Sequence, residues 1–323
     1  MLEKTKMTNR FLIGVGLILF VALIIPWIIP EYLTILITRA LVLSIAALSL
    51  NILIGYTGLG HIGHAAFFAI GGYTTAILAV RLHAPFSVTL SCSIFLAMIT
   101  AAFVAPLLLR AAGLFFLIIS LAIAMCIWGL IYRWVSMTGG DNGITGIPRP
   151  RMNFLWGDLT STNHFYYFVL GFFAICLILM VFIIRSPYGK TLMGIRDSES
   201  RMNVLGYNVW LHKYLILVIS SGFAGLAGNL YAYYNTFIAP NVADLGNCMD
   251  LVLMVIIGGP GTILGPVIGS LIIVFLKELV SVYTTRWLIF LGIAYILTAL
   301  YAPEGIMGLW HRRPVTDSSQ GEA

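Results

Sequence analysis

Gly189-Lys190-Thr191 is the tripeptide that closes a phosphate-binding loop, so nucleotide chemistry is the first possibility to test. A G-x-x-x-x-G-K-[ST] loop needs its first glycine at position 184, where the chain has Ile184. The backbone cradle for phosphates cannot form, and no ATP site is visible. His61 and His64 have the spacing i, i+3, which puts both on one face of a helix. Two imidazoles can begin a metal site, but no carboxylate or cysteine accompanies them, so no metal is expected. They are read instead as caps on interrupted backbone or as the wall of a polar lumen.

Arg39, Arg133, Asp250, Lys277 and Glu278 lie in or beside apolar runs. Ionisable groups at membrane depth mark function, ion pairs or snorkelling ends. Arg133, Lys277 and Glu278 suit the latter two roles. Asp250 begins a short apolar segment leading to a glycine break and is expected at the entrance of a pathway. No acidic residue falls plainly in mid-span, which argues against a proton-coupled carrier. An intramembrane enzyme using His61, His64 and Asp250 lacks a convincing nucleophile–base pair, so no catalytic residue is expected. Cys92, Cys126, Cys176 and Cys248 are far apart and form no C-x-x-C, so they suggest neither zinc nor a disulfide framework.

The elements that must position these residues are membrane helices. Of the 323 residues 60% are hydrophobic and only 9% charged, against about 25% charged in soluble domains. Mean hydropathy is +0.99. These values indicate an all-α, polytopic membrane protein with a single domain over 1–323 and a membrane core over 11–310. Ten crossings are expected, at 11–30, 32–54, 60–80, 86–109, 114–135, 165–184, 214–234, 248–258, 262–282 and 286–303. The segment 248–258 is short enough to be re-entrant. The apolar run from Phe11 is too long for a cleaved leader and is read as the first crossing.

The net charge of +6 is not a nucleic-acid signature, because Lys and Arg gather at Lys4, Lys6 and Arg10, in 185–213, and at Arg312 and Arg313. Positive-inside bias then puts 185–213 and the tail 311–323 in the cytoplasm and the loop 138–158 outside.

Two segments are interrupted by glycine, Ile54–Tyr73 and Ile257–Ser270, and both open I-G-x-x-G. Matched breaks point to a translocation pathway; close helix packing through small residues explains them equally well. The outer loop is rich in turn formers and reads either as a docking lid or as a connector. The inner loop carries five of the 18 Lys and Arg residues. Pro187 suits a helix start, and Leu192, Ile195, Met202 and Leu205 follow helical spacing. One helix over 187–206 lying on the inner leaflet, or one seated on a soluble motor, would give this pattern.

GHAAFFAIGGYTTAIL (63–78), TGGDNGITGIPRP (138–150), SPYGKTLMGIRDSESRMNVLGYNV (186–209), FAGLAGNLYAYY (223–234), LVLMVIIGGPGTILGPVIGS (251–270) and YAPEGIMGLW (301–310) occur in that order. Together they resemble the LivM-type permeases of branched-chain amino acid ABC importers. The resemblance implies a second homologous (LivH-like) permease, two cytoplasmic ABC ATPases and an extracytoplasmic substrate-binding protein. It also implies a bacterial or archaeal cytoplasmic (inner) membrane, with ATP and Mg bound by the ATPases and no cofactor on this chain. Gly189, Leu192, Ile195, Arg196, Asp197, Glu199 and Gly206 would then form the ATPase-coupling loop, and Gly139, Asp141, Asn142 and Gly143 an outer docking loop. Ser200, Arg201 and Met202 depart from the family pattern, as does Asp250, where Glu is common.

The expected pathway comprises Gly55, Gly58, His64, Phe67, Asp250, Gly258, Gly261 and Gly265, with Phe68 and Ile257 as apolar surface. Leucine at Gly258 or Gly261 is expected to block uptake without loss of assembly. Relatives of this kind also carry urea, short amides or other amino acids. A self-sufficient channel or carrier is the rival class.

Overall fold

The computed structural model describes residues 22–152, 157–158, 161–283 and 305–309, with isolated positions at 289, 292, 293, 296 and 300. The crossings expected at 11–30 and 286–303 lie largely outside these residues, as does the tail.

The main helices are α1 (Glu31–Asn51), α2 (His64–Arg81), α3 (Phe86–Leu108), α4 (Leu114–Arg133) and α5 (Thr162–Arg185). They continue with α6 (Pro187–Asp197), α7 (Glu199–Val204), α8 (Val209–Asn235), α9 (Leu245–Gly258), α10 (Gly265–Tyr283) and α11 (Gly305–Leu309). Among the described residues, six helices are long and apolar enough to cross a membrane: α1 with its continuation to Thr57, α3, α4, α5, α8 and α10. At 14 residues, α9 is about 21 Å long, short of a bilayer.

Polar starts set many of the boundaries. Ser161, Ser186, Ser198, Asn208 and Asp244 each accept a backbone N–H from the first turn of the helix that follows.

α8 is the central post. It packs against α1, α2 and α3, and 72% of its apolar window is buried, against 28% for α3 and 22% for α4. On α3 the buried face is small (Ser93, Ala97, Ala101, Ala105), whereas Phe95 and Phe103 point outward. This follows membrane logic, in which backbones approach over small residues and bulky ones meet lipid. On α8, Cβ atoms added at Gly225 and Gly228 would lie 2.7 Å from the Ser93 carbonyl oxygen and 1.9 Å from that of Phe68.

Among the described residues, four two-residue strands accompany the helices. β1 (Ile144–Thr145) pairs antiparallel with β4 (Phe237–Ile238), and β2 (Arg151–Met152) with β3 (Gly157–Asp158). The first ladder ties the outer loop to the end of α8. The α6–α7 pair lies at the start of α8, about 40 Å away along its 27 residues. The two loops therefore sit at opposite ends of the bundle.

Candidate functional site: two glycine breaks joined by Arg196

α1 does not end cleanly at Asn51. It widens into a π-helical turn over Ile52–Thr57, and Gly58 stops it in the left-handed conformation (φ 76°). The second break follows α9, where Gly259 and Gly261 take φ of 114° and 80°.

These two breaks, more than 200 residues apart in sequence, touch. Asn51 is 1% exposed. Its Oδ1 accepts the Gly261 N–H at 2.9 Å, and its Nδ2 donates to the Thr262 carbonyl at 2.7 Å. A single carboxamide thus satisfies a donor and an acceptor of the opposite break, using its oxygen as acceptor and its NH₂ as donor. Gly55 permits the approach, because a Cβ there would lie 2.1 Å from Gly261 N.

Arg196 of α6 reaches the same point. Its Nη1 donates to the Gly55 carbonyl. Its stem passes Gly58, where an added Cβ would lie 3.2 Å from Arg196 Cγ, and a Cβ on Gly261 would lie 3.0 Å from Nη1. Arg196 therefore links the inner-loop helix to both breaks.

Local sequence explains how α6 is held. Ser186 caps it, Pro187 occupies its first turn, and Gly189 is bare because a Cβ would strike the Ile184 carbonyl at 2.2 Å. Tyr188 Oη donates to the His212 carbonyl at 2.8 Å. Burial pushes the Tyr188 phenol up, so it stays a neutral donor. Leu192 and Ile195 are buried, and Ile195 packs with Met202 and Val209.

The single helix expected over 187–206 is instead two, broken at Ser198, whose extended backbone (ψ 106°) caps α7. Leu205 is consequently 65% exposed and does not share the face of Leu192. Asp197 and Glu199 are exposed, and Glu199 pairs with Lys213 at the base of α8. Gly206 turns the chain at φ 86°. Met193, Val204, Leu205 and Tyr207 leave apolar surface exposed among these charges.

The other expected pathway residues divide between packing and polar contacts. Gly258 and Gly265 touch each other, and a Cβ on Gly258 would lie 2.0 Å from the Gly265 carbonyl oxygen. Leucine at 258 would thus break the α9–α10 packing, so the expectation that assembly survives is corrected. Leucine at Gly261 is also strained by its φ of 80°.

His61 is not on a helical face with His64. It precedes α2, which begins at His64. The rings still meet, with centroids 5.6 Å apart. His64 Nε2 shares a 2.7 Å hydrogen bond with Ser49 Oγ, and His61 stacks on Phe67. His61, His64, Ser49 and Phe67 are all buried in the core packing. No group of three metal-ligating side chains occurs among the described residues.

Asp250 is buried and bonded to Lys277 Nζ at 2.9 Å. In the outer loop Gly139 and Gly143 fold into turns, and Asp141 and Asn142 are exposed. Sequence reasoning missed Asn51, a lone amide inside an apolar run. It also missed the buried network in which Asn229 Nδ2 donates to Thr75 Oγ1 (2.6 Å), itself bonded to Ser93 Oγ (2.9 Å). The only available signal was polarity at positions that had to be buried.

Comparison with known proteins gives the family of the chain. The family model described as "Branched-chain amino acid transport system / permease component" matches residues 32–300. The LivM permease proteins of the high-affinity branched-chain amino acid transport systems of Escherichia coli and Salmonella typhimurium are each 25% identical over 307 residues, covering 88% of this chain and 72% of theirs. A tyrosine transport system permease protein of Clostridioides difficile is 34% identical over 89 residues, 28% of this chain and 30% of its own. No solved structure matches significantly. The match over 32–300, together with the apolar helices that surround the joined breaks, shows that this chain belongs to the permease components of branched-chain amino acid transport systems.

Proposed function

We propose that the chain is the LivM-type permease subunit of an ABC importer that passes branched-chain, hydrophobic amino acids across the cytoplasmic membrane. Two cytoplasmic ATPases, which bind ATP and Mg, would supply the work. A second homologous permease would complete the passage, and an extracytoplasmic binding protein would deliver cargo near Asp141 and Asn142. The chain itself performs no hydrolysis in this scheme.

The observation that carries the coupling is the contact of Arg196 with both glycine breaks. The exposed apolar and charged surface of α6 and α7 offers the ATPase a footing. When the ATPases close and push α6, Arg196 pulls on the Gly55 carbonyl. The break held by Asn51 then moves with it, because the two share hydrogen bonds. Glycine-broken backbone yields where a regular helix would not. A self-sufficient channel would have no use for such a linkage.

The test is purification of the transporter in mild detergent, with identification of the co-purifying ATPase and measurement of leucine uptake after reconstitution. Arg196→Ala should retain the ATPase yet lower uptake about tenfold or more, the scale of losing one charged hydrogen bond. Full uptake by Arg196→Ala would remove this coupling route.

A further inference from the structure

Away from Arg196, five helices wall a small cavity of 30 Å³ that mixes charged and apolar side chains. Its walls include Arg39 of α1, Phe68 of α2, Tyr231 of α8, Asp250 of α9 and Lys277 of α10. Space of this size holds a water or two, or an ammonium group. Asp250 is 6% exposed. Its Oδ2 accepts from Lys277 Nζ, whereas its buried Oδ1 has no hydrogen-bond partner. Arg39 Nε is also buried without a partner, and Arg39 Nη1 lies 3.8 Å from Glu278. Buried polar atoms are nearly always satisfied, so two left unpaired on residues that line one cavity call for a partner.

The charges narrow the ligand's chemistry. Arg39, Lys277 and Asp250 line the cavity, and Glu278, just outside the lining, lies 3.8 Å from Arg39, so two cations are set against two carboxylates. A lone cation or anion gains little net attraction from a balanced set. A molecule bearing both charges satisfies both open atoms at once. Leu43, Leu251 and Ile273 line the rest with hydrocarbon.

We infer that this cavity reads the charged head of a zwitterionic amino acid. Asp250 Oδ1 accepts from the α-ammonium, Arg39 Nε donates to the carboxylate, and the aliphatic side chain lies against Leu43, Leu251 and Ile273. The inference rests on the amino-acid cargo proposed above and names the groups that recognise it. The cavity admits only the ammonium as it stands, so the whole head enters when α9 and α10 part. Those helices are joined by the same glycine break that Asn51 and Arg196 hold, so the push on α6 reaches this site directly.

The experiment is L-leucine uptake by the complete reconstituted transporter with its binding protein, normalised to assembled complex. Asp250→Asn should reduce uptake about tenfold or more, and Asp250→Glu should keep most of it. The deciding variant is Asp250→Asn with Lys277→Gln, which removes the ion pair without stranding either charge. It should stay as impaired as Asp250→Asn alone. Recovery in this double variant overturns the proposal, because Asp250 would then be only the counter-ion of Lys277. A second readout avoids the risk of misassembly. In an otherwise native complex, the emission added by Tyr231→Trp should respond to L-leucine and not to 4-methylpentanoate, which lacks the amine. An equal response to both, or none, also overturns it. Absence of leucine uptake by the native complex would refute the cargo itself, a failure distinct from the pattern among variants.

Discussion

Asn51 shows how much one buried amide can carry. It is surrounded by the apolar end of α1, yet it closes two backbone hydrogen bonds on a segment more than 200 residues away. Aspartate has nearly the same shape but only accepts when ionised. Asn51→Asp should therefore strand the Thr262 carbonyl and place a buried charge close to Gly55. Stability in detergent should fall by about 1–3 kcal/mol, the cost of one buried unsatisfied group. Thermal unfolding of the purified complex would measure this, and an unchanged midpoint would show that the clamp has no energetic weight. Arg196 is harder to replace. Its stem fills the space beside Gly58 while its head bonds Gly55, so lysine would keep the charge but lose the planar fork.

At the scale of elements, glycine serves two different ends. On α2 and α8 it brings backbones together, as at Gly71 and Gly225, where a Cβ on the first would lie 2.1 Å from the carbonyl oxygen of the second. At Gly58, Gly259 and Gly261 it permits positive φ where a helix must stop. These uses predict different failures. Gly228→Leu should prevent α8 from packing on α2, because the Phe68 carbonyl stands 1.9 Å from the new Cβ, and the complex should be lost from membranes. Immunoblotting of membrane fractions would record that loss, and normal abundance with normal uptake would contradict the packing role. The α6–α7 break at Ser198 belongs to this scale too. Serine at 186 and again at 198 restarts the helix each time. That restart divides the inner loop into a buried anchor, carrying Leu192 and Ile195, and an exposed arm ending in Val204 and Leu205.

At the scale of the whole molecule, the loops at the two ends of α8 are differently secured. The outer one is tied by the β1–β4 ladder and by Arg81, which donates to the Ser136 and Met137 carbonyls. The inner one is tied through Arg196 to the breaks. Under the coupling proposed above, a subunit that transmits a push from one end should do nothing alone. Liposomes holding only this chain should show no leucine accumulation, and adding the ATPases, the partner permease and the binding protein with ATP should start it. Accumulation by the lone chain would place it with self-sufficient carriers.

Composition and the order of short motifs were enough to establish a polytopic helical permease and its family, because hydropathy and local turn chemistry are properties of neighbouring residues. The helix start at Pro187 was legible on the same grounds, whereas the restart at Ser198 was not. The inward face of α3 was not, since its buried Ala97 and Ala101 and its outward Phe95 and Phe103 are all apolar and leave no period to detect. Nor could spacing tell that the two I-G-x-x-G segments meet, that Arg196 lies between them, or that Asp250 and Arg39 open on one cavity. Those are contacts over long sequence separations, set by how helices pack in three dimensions. Only the tertiary structure could decide them.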